Sequence, residues 1–158
     1  MVAPEGCQRL DLKGADMGKY NQMTVSDVMT RNPVSISPSE TVGQADELMV
    51  ENKIRQLPVV KNRVLVGIIT DRDVRSFLSG SLLSAAEERE RALGTEVNEV
   101  MTADPVTLAP DDELQDAIEL LLEQKIGGVP VVDEAEGLVG IVTYVDILRC
   151  FLTGLQEE

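Results

Sequence analysis

Apolar and polar positions along the chain fall into two series of short apolar runs and helical stripes. Val42, Ala45, Leu48 and Met49 recur at three- and four-residue spacing, as do Leu114, Ala117, Ile118, Leu121 and Leu122, which predicts helices with these stripes facing a core. "LPVV" and "LVGII", and later "VPVV" and "LVGIV", are apolar throughout and too short for helices, so they read as buried strands joined by turns. "PVSIS" and "PVTLA" read as further short strands, because β-branched residues follow a proline that disfavours helix before it. The helices after them are expected to begin near Ser39 and Asp111. Pro38 and Pro110 suit a first turn there, and Glu40, Asp111, Asp112 and Glu113 complement the positive end of a helix dipole. A last helix in each series starts at Thr70 or Thr143 and carries Val74, Phe77 and Leu78, or Ile147, Leu148 and Phe151.

The two series are copies. Val28-Met29-Thr30 meets Val100-Met101-Thr102 at an offset of 72, and Pro33-Val34, Pro38, Lys53-Ile54 and Pro58-Val59-Val60 meet their counterparts at the same offset. One extra residue near Glu136 changes the offset to 73, after which Gly67-Ile68, Thr70 and Asp73 meet Gly140-Ile141, Thr143 and Asp146. Each copy reads strand, helix, strand, strand, helix. A unit of roughly 55 residues buries too little surface to be comfortable alone, so the two are expected to pack face to face about a pseudo-two-fold axis as one mixed α/β (α+β) fold. The division is an N-terminal flexible arm over 1–22, repeats over 23–79 and 95–154, and a charged helical connector over 80–94 in which Glu87, Glu88 and Glu90 lie near Arg89 and Arg91.

Composition narrows the functional classes. The 158 residues carry a net charge of −14, which repels polyanions and makes nucleic acid a poor partner. The N-terminus lacks the basic flank and apolar run of a secretion signal, and no segment reaches the ~20 apolar residues of a membrane span, so a cytoplasmic location and no membrane partner are expected. With no histidine, the commonest general base and neutral metal ligand are both missing, and no metal site is expected. Cys7 and Cys150 form neither a CxxC pair nor a disulfide framework; Cys7 lies in a polar arm, whereas Cys150 follows an apolar helical pattern that suits packing. No nucleophile-base pair and no GxxxxGK phosphate loop is visible, so an enzyme is not expected.

The repeated junction is where chemistry enters. Thr70 and Asp73, like Thr143 and Asp146, read on their own as a helix capping box, in which the hydroxyl accepts a backbone N–H and the carboxylate reaches back to the cap. The context offers a second role. A strand that ends at a helix N-terminus leaves N–H donors where anions settle, and an ionised Asp has two acceptor oxygens able to take both hydroxyls of a ribose. The Pro-Val segments could line an apolar slot for a flat base. Arg72, replaced by Val145 in the second copy, can fork onto a phosphate or pair with Asp71 or another acid. Arg55 and Lys53, on the turn before "LPVV", are weaker candidates, and Tyr144 can stack on a base or cover the core edge.

The paired pattern "VMTxxPV…P…KIxxxPVV…GIxTxxD" closely resembles the tandem CBS domain, named after cystathionine β-synthase, over about residues 24–153 with both copies in register. The resemblance implies a compact pair of repeats that often dimerises and binds AMP, ADP, ATP or S-adenosyl compounds in clefts between repeats. By the same resemblance the ribose is held by Asp73 and Asp146, with Thr70 and Thr143 beside it. Base contacts fall to Val34, Ser35, Val106 and Thr107, and to Pro58, Val59, Pro130 and Val131.

The two clefts are not expected to be equal. From Thr24 to Leu78 seven Lys/Arg balance seven Asp/Glu, whereas from Thr95 to Thr153 two Lys/Arg face thirteen Asp/Glu, a net of −11. At an effective dielectric near 20, opposite charges about 4 Å apart gain roughly 4 kcal/mol before solvation, so phosphate is expected to prefer the first repeat's surroundings. The leading expectation is a regulatory, energy-sensing module with an adenine nucleotide as its ligand and no obligatory cofactor, acting through its own homodimer or an effector protein. The alternative is a structural dimerisation module with empty clefts.

Overall fold

The hairpin of the first repeat is set by its turn. Asn62 and Arg63 both take positive φ (53° and 72°), the backbone that lets a two-residue connection follow the twist of its strands. It joins β2 (Gln56–Lys61) to β3 (Val64–Thr70), which pair antiparallel from Gln56↔Thr70 to Lys61↔Val64 with an irregularity at Val59/Val60. The second hairpin, β5 (Gly128–Val132) and β6 (Leu138–Thr143), carries the matching irregularity at Val131/Val132. Its turn absorbs the extra residue: Asp133 Oδ1 accepts from the N–H groups of Ala135 and Gly137 (3.0 and 2.8 Å), and Glu136 sits at φ 60°. The computed structural model describes residues 22–80 and 86–156; Cys7, nearly all of the N-terminal arm and residues 81–85 of the connector lie outside them.

The short leading strands cross over. β1 (Thr30–Arg31) pairs with β6 of the second repeat, and β4 (Thr102–Ala103) pairs with β3 of the first, giving two three-stranded sheets ordered β1-β6-β5 and β2-β3-β4. The cores follow this exchange. Val25, in the single-turn helix α1 (Val25–Val28), and Met29 are buried with Leu114, Val129, Val131 and Val142 of the second repeat. Val97, in a 3₁₀ turn over Val97–Glu99, is buried with Val42, Leu57, Val59 and Ile69 of the first. Burying a valine or leucine fully contributes about 1.5–3 kcal/mol, so each repeat depends on the other's leading segment.

Helices α2 (Val42–Glu51) and α5 (Leu114–Gln124) start three residues after the expected positions. The acids there close a preceding turn: Glu40 accepts from Ser37 N–H and Asp112 from Ala109 N–H, each at 2.7 Å. The helix starts are fixed instead by crossing backbone, with Val42 N–H donating to Thr95 O and Leu114 N–H to Met23 O (both 2.9 Å), and by a Thr41/Gln44 capping box on α2. The expected strands at "PVSIS" and "PVTLA" reduce to single parallel bridges, Ile36↔Val59 and Leu108↔Val131, because the next N–H in each is the one taken by Glu40 or Asp112.

The last helices, α3 (Asp71–Gly80) and α6 (Tyr144–Gln156), follow β3 and β6 without a loop. Leu122 on α5 and Leu148 on α6 point to solvent, not into the core as their place in the apolar series suggested. Each is one residue past a buried neighbour, Leu121 or Ile147, and a step of about 100° around the helix carries it off the core face. The connector contributes α4 (Ala86–Leu93), whose residues 87–91 are exposed while Ala92 tucks against the first repeat. Among the described residues no helix is long and apolar enough to cross a membrane.

Candidate functional site

The two strand-to-helix junctions are built alike on one side. At the first, Asp73 Oδ2 accepts from Thr70 N–H (2.8 Å) and Thr70 Oγ1 (2.6 Å), while Asp73 N–H donates to Thr70 Oγ1 (3.2 Å). At the second, Asp146 Oδ2 accepts from Thr143 N–H (2.9 Å) and Thr143 Oγ1 (2.6 Å), with the return bond at 3.3 Å. Both are complete capping boxes, so the capping role read from the sequence holds at each junction.

They differ in the second oxygen. Asp146 Oδ1 accepts from Thr30 Oγ1 (3.3 Å) and lies 4.0 Å from Arg149, and its side chain is only 11% exposed. Asp73 Oδ1 takes no hydrogen bond or ion pair from any described residue. Serine occupies Ser76, the position equivalent to Arg149, and Thr102, the counterpart of Thr30, makes no bond to Asp73.

A cavity of about 680 Å³ opens beside Asp73. It is a product of the crossed strands. Thr70, Arg72 and Asp73 come from the first repeat, while Val106, Pro130 and Tyr144 come from the second. Val106 and Tyr144 are 46% and 44% exposed, so the cleft has an apolar and an aromatic surface open to a flat group. Of the other sequence-derived residues, Thr143 and Asp146 form the second junction, with Thr30 of the first repeat against it. The side chains of Val59 and Val131 are fully buried in the two cores, and Pro58, also buried, accepts Ile36 N–H with its carbonyl (3.0 Å). Val34 is half-buried against the first core, and Ser35 and Thr107 are exposed.

Several residues at the cavity escaped the sequence reading: Gln56, Asp104, Lys125, Ile126 and the pair Gly127-Gly128. The glycines stand where the first copy has Arg55-Gln56, and the Gln56 amide occupies the space that a Cβ on either glycine would need. That large-against-small exchange between copies was the available signal. Gln56 Oε1 is buried there without a hydrogen-bond partner among the described residues.

The charge at the cavity is organised around Asp71. Its Oδ2 accepts from Arg55 Nε and Arg75 Nη2, both at 3.0 Å. The Arg55 guanidinium is held above its ordinary pKa, first by the hydrogen bond to Asp71 and the charge of that carboxylate, then by the neighbouring Tyr144 phenol. The pseudo-two-fold thus brings an arginine of the first repeat onto the second junction. With Asp71 so engaged, Arg72 does not pair with it; its exposed side chain makes no bond or ion pair with a described residue. Arg55, Arg72, Arg75 and Lys125 line the cavity against Asp71, Asp73 and Asp104, four cations to three carboxylates in a chain of net charge −14.

Comparison with known proteins agrees with this architecture. The CBS domain family matches residues 25–80 and 97–153. The chain is 34% identical over 133 residues to the uncharacterized protein MJ1225 of Methanocaldococcus jannaschii, covering 79% of this chain and 48% of that one. Its fold is similar to the crystal structure of CBSX2, an Arabidopsis thaliana protein, in complex with AMP, with a TM-score of 0.71 and 35% identity over 82% of this chain and 96% of that one. It is similar as well to the CBS domain pair of protein MJ0100 in complex with 5′-methylthioadenosine and S-adenosyl-L-methionine, with a TM-score of 0.71 and 28% identity over 82% and 99% of the two chains. The chain spans about half of MJ1225 and under a third of three further curated relatives that it matches. Two matches in sequence, each falling on one hairpin and its helices, leave one assignment: the chain belongs to the CBS domain family and carries two of its repeats in tandem.

Proposed function

We propose that this chain is an adenine-nucleotide-binding regulatory module whose working cleft is the cavity at Asp73. The observation that carries the reading is the division of labour within one carboxylate: Oδ2 caps α3, while Oδ1 is uncommitted beside the cavity. An ionised oxygen so placed is suited to a ribose hydroxyl, with Thr70 beside it, Val106, Pro130 and Tyr144 as the surface for a base, and Arg72 for a phosphate. That CBSX2 is complexed with AMP and the MJ0100 pair with S-adenosyl compounds supports an adenosyl ligand here. The module acts without chemistry of its own, in the cytoplasm, through a homodimer or an effector protein.

A structural role is favoured at the second junction, where both oxygens of Asp146 are already engaged. The test is a thermal-shift titration with AMP, ADP, ATP and S-adenosylmethionine, since a ligand that binds only the folded state raises the melting temperature by linkage. No shift with any of them at millimolar concentration leaves a dimerisation scaffold as the function of both halves.

A further inference from the structure

Lys125 stands at the left-handed end of α5 (φ 54°) and lines the cavity from the second repeat; Arg72 lines it from the first turn of α3 in the first repeat. The other two cations at the cavity, Arg55 and Arg75, are both bonded to Asp71 Oδ2. Arg72 and Lys125 make no side-chain bond or ion pair with any described residue. Two cations without an ion-pair contact to a described residue, one from each repeat, therefore line one cleft together with Asp73 and Asp104, and the cleft's 680 Å³ lies within the range of sites that hold ligands of drug size. The pair is not repeated. At the Asp146 junction the position of Arg72 is Val145, so the equivalent of Lys125, Lys53, has no cationic counterpart.

Resting on the reading that the Asp73 cleft takes an adenosyl ligand, we infer that it selects adenosine polyphosphates, and that Lys125 is the specificity-determining residue that grips the phosphates beyond the first. Arg72, next to the helix N-terminus and one residue from Asp73, is placed for the phosphate nearest the ribose. Lys125 is a compact point charge on a flexible stem, suited to following a longer chain from the far wall. A sulfonium ligand such as S-adenosylmethionine brings positive charge to the same cations and is disfavoured.

The experiment is calorimetric titration of the full chain with adenosine, AMP, ADP, ATP and S-adenosylmethionine, in EDTA at fixed ionic strength. A charge-assisted contact predicts that ATP binds about tenfold or more tightly than AMP, and S-adenosylmethionine more weakly than ATP by a similar factor. Lys125→Gln should erase the gain from AMP to ATP and leave adenosine and AMP within about threefold, whereas Arg72→Gln should weaken AMP and ATP alike relative to adenosine. Glutamine keeps the backbone demand at residue 125 close to that of lysine, and an unchanged melting temperature without ligand verifies the fold. Equal affinity for AMP and ATP, or a gain for ATP that survives Lys125→Gln, overturns the inference while adenosyl binding itself stands. Failure of every compound, adenosine included, overturns the functional reading and this inference with it.

Discussion

Replacing Asp73 or Asp146 with alanine separates capping from ligand binding, because the two carboxylates share the first role and differ in the second. Asp73→Ala removes the acceptor of Thr70 N–H and Oγ1, the loss of a helix cap, which costs about 0.5–2 kcal/mol. For a chain of this size each kcal/mol lowers the melting temperature by about 2–4 °C, so the unliganded protein should lose a few degrees. Asp146→Ala removes the same two bonds and also the bond from the hydroxyl of Thr30, an exposed residue. Water can satisfy that hydroxyl, so the further loss is small, and this variant should be at least as destabilised as Asp73→Ala.

The ligand response should run the other way. At a concentration one hundred times Kd a ligand stabilises by about 2.7 kcal/mol, about 5–11 °C on the same scale. Wild type and Asp146→Ala should both show this rise in differential scanning fluorimetry with an adenine nucleotide, and Asp73→Ala should show none. A full rise in Asp73→Ala would refute the assignment of its free oxygen to the ribose. A rise lost in Asp146→Ala and kept in Asp73→Ala would place the working cleft at the other junction.

Further predictions concern the crossed strands. A Cβ on Gly67 would run into Met101 Sδ and lie 3.0 Å from Thr102 O, and one on Gly140 would meet Met29 Sδ and lie 3.2 Å from Thr30 O. Gly67→Ala and Gly140→Ala should each cost about 1–3 kcal/mol by overpacking, measured as a lowered denaturation midpoint with an unchanged slope. A fragment ending at residue 80 lacks Val97, Val100, Met101 and β4, so it should show no cooperative unfolding by circular dichroism until a second fragment from residue 86 onward is added. Cooperative melting of the first fragment alone would contradict the interdependence of the cores.

The features legible in the sequence were those with a local cause. Hairpins announced themselves as apolar runs flanking a turn, and the capping boxes as Thr-x-x-Asp, because strands and caps are specified by residues a few positions apart. The crossing of β1 and β4 was not legible, since Val28-Met29-Thr30 is identical in type to Val100-Met101-Thr102 and either hairpin could accept either segment. The helix starts at Val42 and Leu114 were missed for the same reason: Thr95 and Met23, which bond to their N–H groups, lie far away in sequence. The cavity followed the crossing. Thr70, Arg72 and Asp73 could be named, but not their pairing with Val106, Pro130 and Tyr144, and Lys125 was passed over although its counterpart Lys53 was a weaker candidate, because only the crossing brings it to the Asp73 junction.

Capping and ligand binding were rival readings of one four-residue pattern, and the geometry makes them compatible. A carboxylate has two oxygens, and the box needs only Oδ2, which also fixes the rotamer and so orients Oδ1 before any ligand arrives. Whether Oδ1 is left over is then decided outside the motif. At the second junction Thr30 crosses from the other repeat and Arg149 stands one turn along the helix, so the oxygen is occupied. At the first, serine replaces that arginine and Thr102 makes no hydrogen bond to Asp73, so the same motif keeps an acceptor in reserve. Because the cleft beside it is walled by both repeats, a ligand held there touches elements of each, and its binding energy adds to the exchanged strands and the hairpin contacts that attach one repeat to the other.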